Sequence, residues 1–171
     1  MLTTVHLHLL LNHLPIIVPV IGLALLALAV WKRTDLLARV GLALLATGAV
    51  SALPVYLTGE GAEDSVEKLP GVTKALIEQH SDIALVAAIV IGLIGLLALW
   101  MLWRYRRPSA LPPGLVRLTL LGAVVGCGLM AYTGSLGGQI RHTEVRPGYV
   151  PAAEGAPASV PREGESTGRV R

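Results

Sequence analysis

SDIALVAAIVIGLIGLLALWMLW, residues 81–103, carries no charged side chain after Asp82. Crossing the hydrocarbon of a bilayer takes roughly 20 apolar residues of helix. Backbone N–H and C=O groups find no water there, so a segment of this kind must bond internally as a helix. Three more stretches have the same character, at about 9–31 (LLLNHLPIIVPVIGLALLALAVW), 36–57 (LLARVGLALLATGAVSALPVYL) and 114–134 (GLVRLTLLGAVVGCGLMAYTG). Four such spans in 171 residues, 53% of them hydrophobic, predict an all-α integral membrane protein. The expected domain is residues 1–146. Within it Arg39 should snorkel to an interface, and Pro54 should bend only the last turn of the second span.

Basic residues set the orientation. Lys32, Arg33 and Arg39 flank the first connection, and Arg104, Arg106, Arg107 and Arg117 flank the third. Half of the 14 Lys and Arg residues therefore sit in two short turns, which the positive-inside rule assigns to the cytoplasm. Residues 58–80 form the expected outer loop, with Glu60, Glu63, Asp64, Glu67 and Glu78 against Lys68 and Lys74. The helices then run up-down-up-down as a bundle with both termini outside. Trp31, Trp100, Trp103 and Tyr105 fit an inner aromatic belt, and Tyr56 and Tyr132 an outer one. The net charge of +3 is a topology signal. It forms no basic stripe, so nucleic acid is excluded as a partner and the lipid bilayer is the expected one.

The first apolar run follows no basic n-region, so it reads as a retained helix and not a cleavable leader. Cys127, the single cysteine, lies mid-span as a packing residue. Residues 147–171, PGYVPAAEGAPASVPREGESTGRVR, are rich in Pro, Gly and Ser and are expected to be a disordered tail outside the membrane.

All five histidines fall on the predicted outer side: His6, His8 and His13 open span one, His80 opens span three, and His142 follows span four. Polar groups at the edge of hydrocarbon are costly and mark functional sites. At about 100° per residue His8 and Asn12 share a helix face, whereas His8 and His13 are about 140° apart unless Pro15 distorts the helix. Thr73 is a suitable N-cap for span three, and Leu76, His80 and Ala84 form a stripe that aims His80 at the bundle. The segment TGEGAEDSVEKLPG reads as a short helix after Gly59 or Gly61, with Glu60, Glu63 and Glu67 on one face. Gly137 and Gly138 should end span four. In extended backbone beyond them, His142 and Glu144 share a side. Singly, each histidine is an ordinary interfacial polar group; together they make a His/carboxylate cluster.

Such a cluster suits haem b held by His13 and His80, or a transition metal held by His8, His13, His80, His142, Glu144 and Glu63. With no Phe and one Cys, the chain has few rings to line a macrocycle and no c-type attachment motif. Three classes remain. The first is an electron-transfer protein, working with other membrane or periplasmic redox proteins. The second is a non-redox metal-handling protein. The third is a structural subunit whose histidines only form hydrogen bonds. A channel is disfavoured, since no span has an ionisable residue at its middle.

LHLLLNHLPI (7–16), TGEGAEDSVEKLPGV (58–72), LIEQHSDIAL (76–85) and GGQIRHTEVR (137–146) resemble the hallmark stretches of a bacterial family of four-span membrane proteins, the domain of unknown function 2231. The likeness covers roughly residues 5–146. It implies His8 and His13 as the opening pair, His80 at the head of span three, and Gly137, Gly138, Arg141 and His142 at the exit. His6 stands outside that pattern. The resemblance implies a location in the bacterial inner membrane and brings no activity.

Overall fold

The computed structural model describes residues 3–67, 71–106 and 108–150. The expected tail therefore falls almost wholly outside the described residues. Five helices follow one another: α1 (Thr4–Leu11), α2 (Leu14–Lys32), α3 (Asp35–Val66), α4 (Lys74–Arg104) and α5 (Pro113–Arg141), then a 3-10 turn, Thr143–Val145. No strand occurs among the described residues. Four helical segments are long and apolar enough to cross a membrane: Thr4–Lys32, Asp35–Val66, Lys74–Arg104 and Pro113–Arg141.

The first of these is broken at Asn12–His13, between α1 and α2. Pro15 lacks the N–H that would bond the Leu11 carbonyl, so the regular ladder lapses there. The chain stays near helical values through the break, and the His13 carbonyl accepts from Ile17 at 2.9 Å.

The α3 helix has 32 residues, roughly 48 Å of rise, which exceeds the roughly 30 Å of a hydrocarbon core. The expected loop 58–80 is thus much shorter. Its first part is the continuation of α3, not a separate short helix, and Gly59 and Gly61 do not interrupt it. Its last part is the opening of α4, capped by Thr73 in extended conformation. Pro54 accordingly lies inside a long helix and not in its last turn. At the other end of α5, Gly137 and Gly138 remain helical and the helix runs to Arg141. Arg146 stabilises that extension by donating to the carbonyls of Gln139 (2.8 Å) and Ile140 (3.3 Å).

Packing runs α2 on α3, α3 on α4, α4 on α5 and α5 back on α2. The tightest approach is backbone against backbone. A methyl group at Gly22 would sit 3.0 Å from the Gly41 carbonyl, and one at Gly41 would sit 2.9 Å from the Gly22 carbonyl. Further along, the Pro19 ring fills the space over Gly48, and His8 meets Val55. As one helix is followed upward, its neighbour is followed downward. Small residues at a contact of this kind let dispersion act over a long seam, the main attraction left between helices in lipid. Gly122 and Gly126 face Ile94, whereas Gly138 has open space around it.

Leu26, Leu42, Leu45, Ile91 and Met101 are fully buried in the core. Leu93 (63% exposed), Leu96 (64%) and Leu121 (66%) point outward. An exterior this apolar suits hydrocarbon and not water.

Arg39 is clasped, not snorkelling. Its guanidinium donates to Asp35 Oδ2 (2.6 Å), the Tyr105 carbonyl (2.8 Å) and the Ser109 carbonyl (2.7 Å). The second oxygen of Asp35 accepts from the Leu111 N–H at 3.1 Å. One ion pair therefore ties the start of α3 to the turn between α4 and α5. The same end carries Trp31, under the Lys32 ammonium at 4.1 Å, and Trp100 edge-on to Tyr105 at 5.9 Å.

Candidate functional site

The opposite end of the bundle carries the histidines, and the structure sorts them into groups. His6 belongs to a cap. Its Nδ1 accepts from the Thr3 N–H (3.4 Å) and lies 2.7 Å from the Thr3 hydroxyl, whose oxygen accepts from the His6 N–H. This capping box closes the first turn of α1 and occupies the ring nitrogen.

His8 turns inward toward α3. Its Nδ1 is 3.0 Å from the Val55 carbonyl and 3.4 Å from Thr58 Oγ1. A carbonyl only accepts, so Nδ1 carries the proton. The Thr58 hydroxyl spends its own proton on the carbonyls of Pro54 and Val55 (2.8 and 3.1 Å), which leaves its oxygen to accept from His8. In the neutral ring the lone pair is then on Nε2.

His80, on α4, repeats the arrangement against α5. Its Nδ1 is 3.1 Å from the Thr133 carbonyl and bears the proton for the same reason. Gly137 makes the room: a methyl group there would sit 3.1 Å from His80 Cε1. His80 precedes the apolar span 81–103. Burial holds its pKa below the ordinary 6.5; the bond to Thr133 pulls the other way, and the nearby His8 adds to the depression. The two rings thus come from different helices, His8 from α1 and His80 from α4. Both are half-buried.

Asn12 lies one turn beyond His8 on the same face, with its N–H on the His8 carbonyl at 2.9 Å. Its Oδ1 is buried and has no hydrogen-bond partner among the described residues. Such an atom is uncommon, because burying a polar group without a partner costs about 1–3 kcal/mol. A turn further, Ile16 meets Gly134 of α5. Two glycines of α5 thus receive side chains from other helices, Gly134 from Ile16 and Gly137 from His80.

The remaining expected ligands lie elsewhere. His13 opens α2 with its side chain exposed and without a side-chain hydrogen bond among the described residues. The sequence pairs it with His80; here its side chain is exposed, whereas those of His8 and His80 are half-buried. His142 bonds Glu144, Nδ1 to Oε1 at 2.9 Å, in an exposed pair on the 3-10 turn. The pairing matches the sequence expectation, although the backbone there is not extended. Glu144 is held below the usual carboxylate value, first by its own backbone N–H and then by His142. Glu63 lies on the extension of α3 and bonds neither histidine group. Glu78 faces Lys74 at 3.8 Å. Among the described residues no three His, Cys, Asp or Glu side chains are placed to hold one metal ion together. The six-residue metal cluster is therefore not assembled.

Sequence reasoning reached His8 and His80 but gave Asn12 no role. It also could not find the carbonyls of Val55 and Thr133, since a carbonyl has no letter in the sequence. Gly59, where an added methyl group would lie 3.8 Å from His8 Cε1, and Gly137 were the available signals, because both mark where a ring crosses a helix.

Residues 4–144 match the family described as predicted membrane protein (DUF2231), and the chain belongs to that family. No curated protein matches the chain. No solved structure matches it either.

Proposed function

We propose that this member of the DUF2231 family binds a transition metal ion or haem b through Nε2 of His8 and His80, at the extracytoplasmic face of a bacterial inner membrane. The observation that carries the reading is the matched locking of the two rings. Each Nδ1–H is tied to a backbone carbonyl of a neighbouring helix. That bond fixes the tautomer, orients the ring and raises the basicity of the nitrogen left free, as outer partners do for metal-bound histidines. The depressed pKa of His80 favours the neutral form that ligation needs. A histidine serving only as hydrogen-bonding glue gains nothing from keeping Nε2 bare.

In this reading the chain is an up-down-up-down bundle with both termini outside. The basic Arg39 end faces the cytoplasm, and the His8 end faces the periplasm. Electron exchange with a membrane or periplasmic redox protein is the corresponding role, and metal handling without redox change is the alternative.

The test is the visible spectrum and metal content of the protein purified from membranes in detergent, for the parent chain and for His8→Ala and His80→Ala. A haem absorption or a stoichiometric metal, lost in both variants, supports the reading. A colourless parent that neither carries nor takes up metal leaves the structural-subunit role as the surviving one.

A further inference from the structure

We infer that a phospholipid with an anionic headgroup binds along α3 and α4, its phosphate at the basic end of the bundle and one acyl chain in a groove between the two helices. Charge points to the headgroup. Residues 31–40 and 104–117 carry seven Lys and Arg side chains against one acid, Asp35. That acid already accepts from Arg39 and from the Leu111 N–H. Lys32, Arg33, Arg104, Arg106 and Arg117 are exposed and form no ion pair among the described residues. Cations gathered at one end of a set of membrane helices attract anionic lipid, each strengthening the hold about fivefold.

The groove points to the chain. Gly95 of α4 lies against Ala49 of α3, so the two helices approach closely and the floor between them is low. Two apolar depressions of about 340 and 210 Å3 follow this floor and share Ala46, Val50 and Leu99. Joined, they run from Ala43 and Leu102 to Leu53 and Gly92. Ala43 to Leu53 rises roughly 15 Å, about half of a hydrocarbon core and so the reach of the chains of one leaflet. The groove continues toward the basic end. Arg39 comes four residues before Ala43 and Trp103 four after Leu99, so each prolongs the groove stripe of its helix. Trp103 is exposed, as suits a ring at headgroup level. Arg39 holds the carbonyls of Tyr105 and Ser109, which pins the turn bearing Arg106 to the start of α3. A second copy of the chain suits this groove less. It would insert in the same orientation and bring its own basic end against this one, where like charges repel. A phosphate neutralises that end instead.

The test mixes the full chain in detergent with dioleoylphosphatidylglycerol or with dioleoylphosphatidylcholine and counts bound lipids by native mass spectrometry. Gly92→Leu and Thr47→Leu fill the groove. An added methyl group at Gly92 meets nothing within 4 Å, and the same holds at Gly128 on α5, so Gly128→Leu is the matched control. Arg106→Gln removes one cation. Circular dichroism establishes that each variant is helical. The parent should retain one phosphatidylglycerol per chain and bind phosphatidylcholine about tenfold more weakly. Arg106→Gln should weaken phosphatidylglycerol about fivefold and leave phosphatidylcholine unchanged. Both groove variants should lose the retained lipid, and Gly128→Leu should keep it. Equal affinity of the parent for the two lipids overturns the inference. So does phosphatidylglycerol held by the groove variants as firmly as by the parent; Thr47→Leu decides alone if Gly92→Leu does not fold. Loss in Gly128→Leu as well would make the lipid a general coat of the bundle, which also overturns it. A parent dimer that Gly92→Leu separates would give the groove to a second copy, with the same consequence.

Discussion

The two ends of this bundle solve the same problem in opposite ways. At the Arg39 end the guanidinium donates to three separate acceptors, and the Asp35 carboxylate takes up a backbone N–H besides the arginine. The pairing there is extensive and ties a turn to a helix start. At the His8 end the rings are anchored by one nitrogen each, and the Asn12 amide oxygen is left over. Buried polar groups that satisfy one another stabilise a fold; groups positioned but left with free lone pairs suit a ligand. The contrast argues that the Arg39–Asp35 pair is a fastening and the His8 end is a site.

Arg39→Ala tests the fastening and should have the largest effect. It removes the guanidinium from beside Asp35 and a donor from each of two carbonyls. We expect a loss of about 3 kcal/mol in stability, read as a lowered thermal midpoint in detergent, with ligand binding at the far end unchanged. Arg39→Lys should recover only part of it, since one ammonium does not span three acceptors in a plane. If Arg39→Ala leaves the midpoint in place, the comparison loses its first half.

Gly137→Ala acts at the other end. The added methyl lies 3.1 Å from His80 Cε1, so the ring must shift and its bond to Thr133 must lengthen. The stability cost should be about 1 kcal/mol. The effect on metal affinity should be proportionally greater than the effect on the midpoint. Equal loss of both would mean that the His80 contact is only packing.

Acid should act at the His80 end. The folded pKa of His80 lies below its unfolded value of 6.5, so the unfolded chain takes up the proton first. The His80 contribution is therefore fully present above pH 6.5 and is lost as pH falls through the depressed folded value. His80→Gln should flatten that slope. Melting curves from pH 7.5 to about 5 check this; a slope that survives His80→Gln would refute the assignment.

Glu144→Gln should have the smallest effect. Its pair with His142 is exposed, and such pairs contribute little. The depressed carboxylate adds stability above its ordinary value of 4.5 and loses it as pH falls through the folded value, so the variant should match the parent at neutral pH. A clear loss of metal in Glu144→Gln would bring the 3-10 turn into the site after all.

Much of the fold was legible in the residues. Uncharged runs such as 83–103 admit a helix and little else in hydrocarbon, and Pro15 announced the break near His13. Boundaries were less legible. Gly59, Gly61, Gly137 and Gly138 read as stops, yet all four are helical, because neighbouring helices and the Arg146 cap supply what glycine lacks in propensity. The histidines themselves were legible as polar groups at the helix ends, but which of them turn inward was not: His8 and His80 bond carbonyls of other helices, whereas His13 is exposed.

The sequence by itself determined the solvent this chain folds in, the number of membrane-length spans and the identity of the polar groups near their ends. Those follow from local chemistry, since length and hydropathy decide what lipid accepts. Only the tertiary structure decided which of those groups meet. It set His8 against Val55 and His80 against Thr133, turned His13 outward, paired His142 with Glu144 and left Asn12 Oδ1 without a donor among the described residues. The physical reason is that a ring's tautomer and direction are fixed by a carbonyl on another helix, about 50 positions away for both His8 and His80, and no local pattern encodes where that carbonyl arrives.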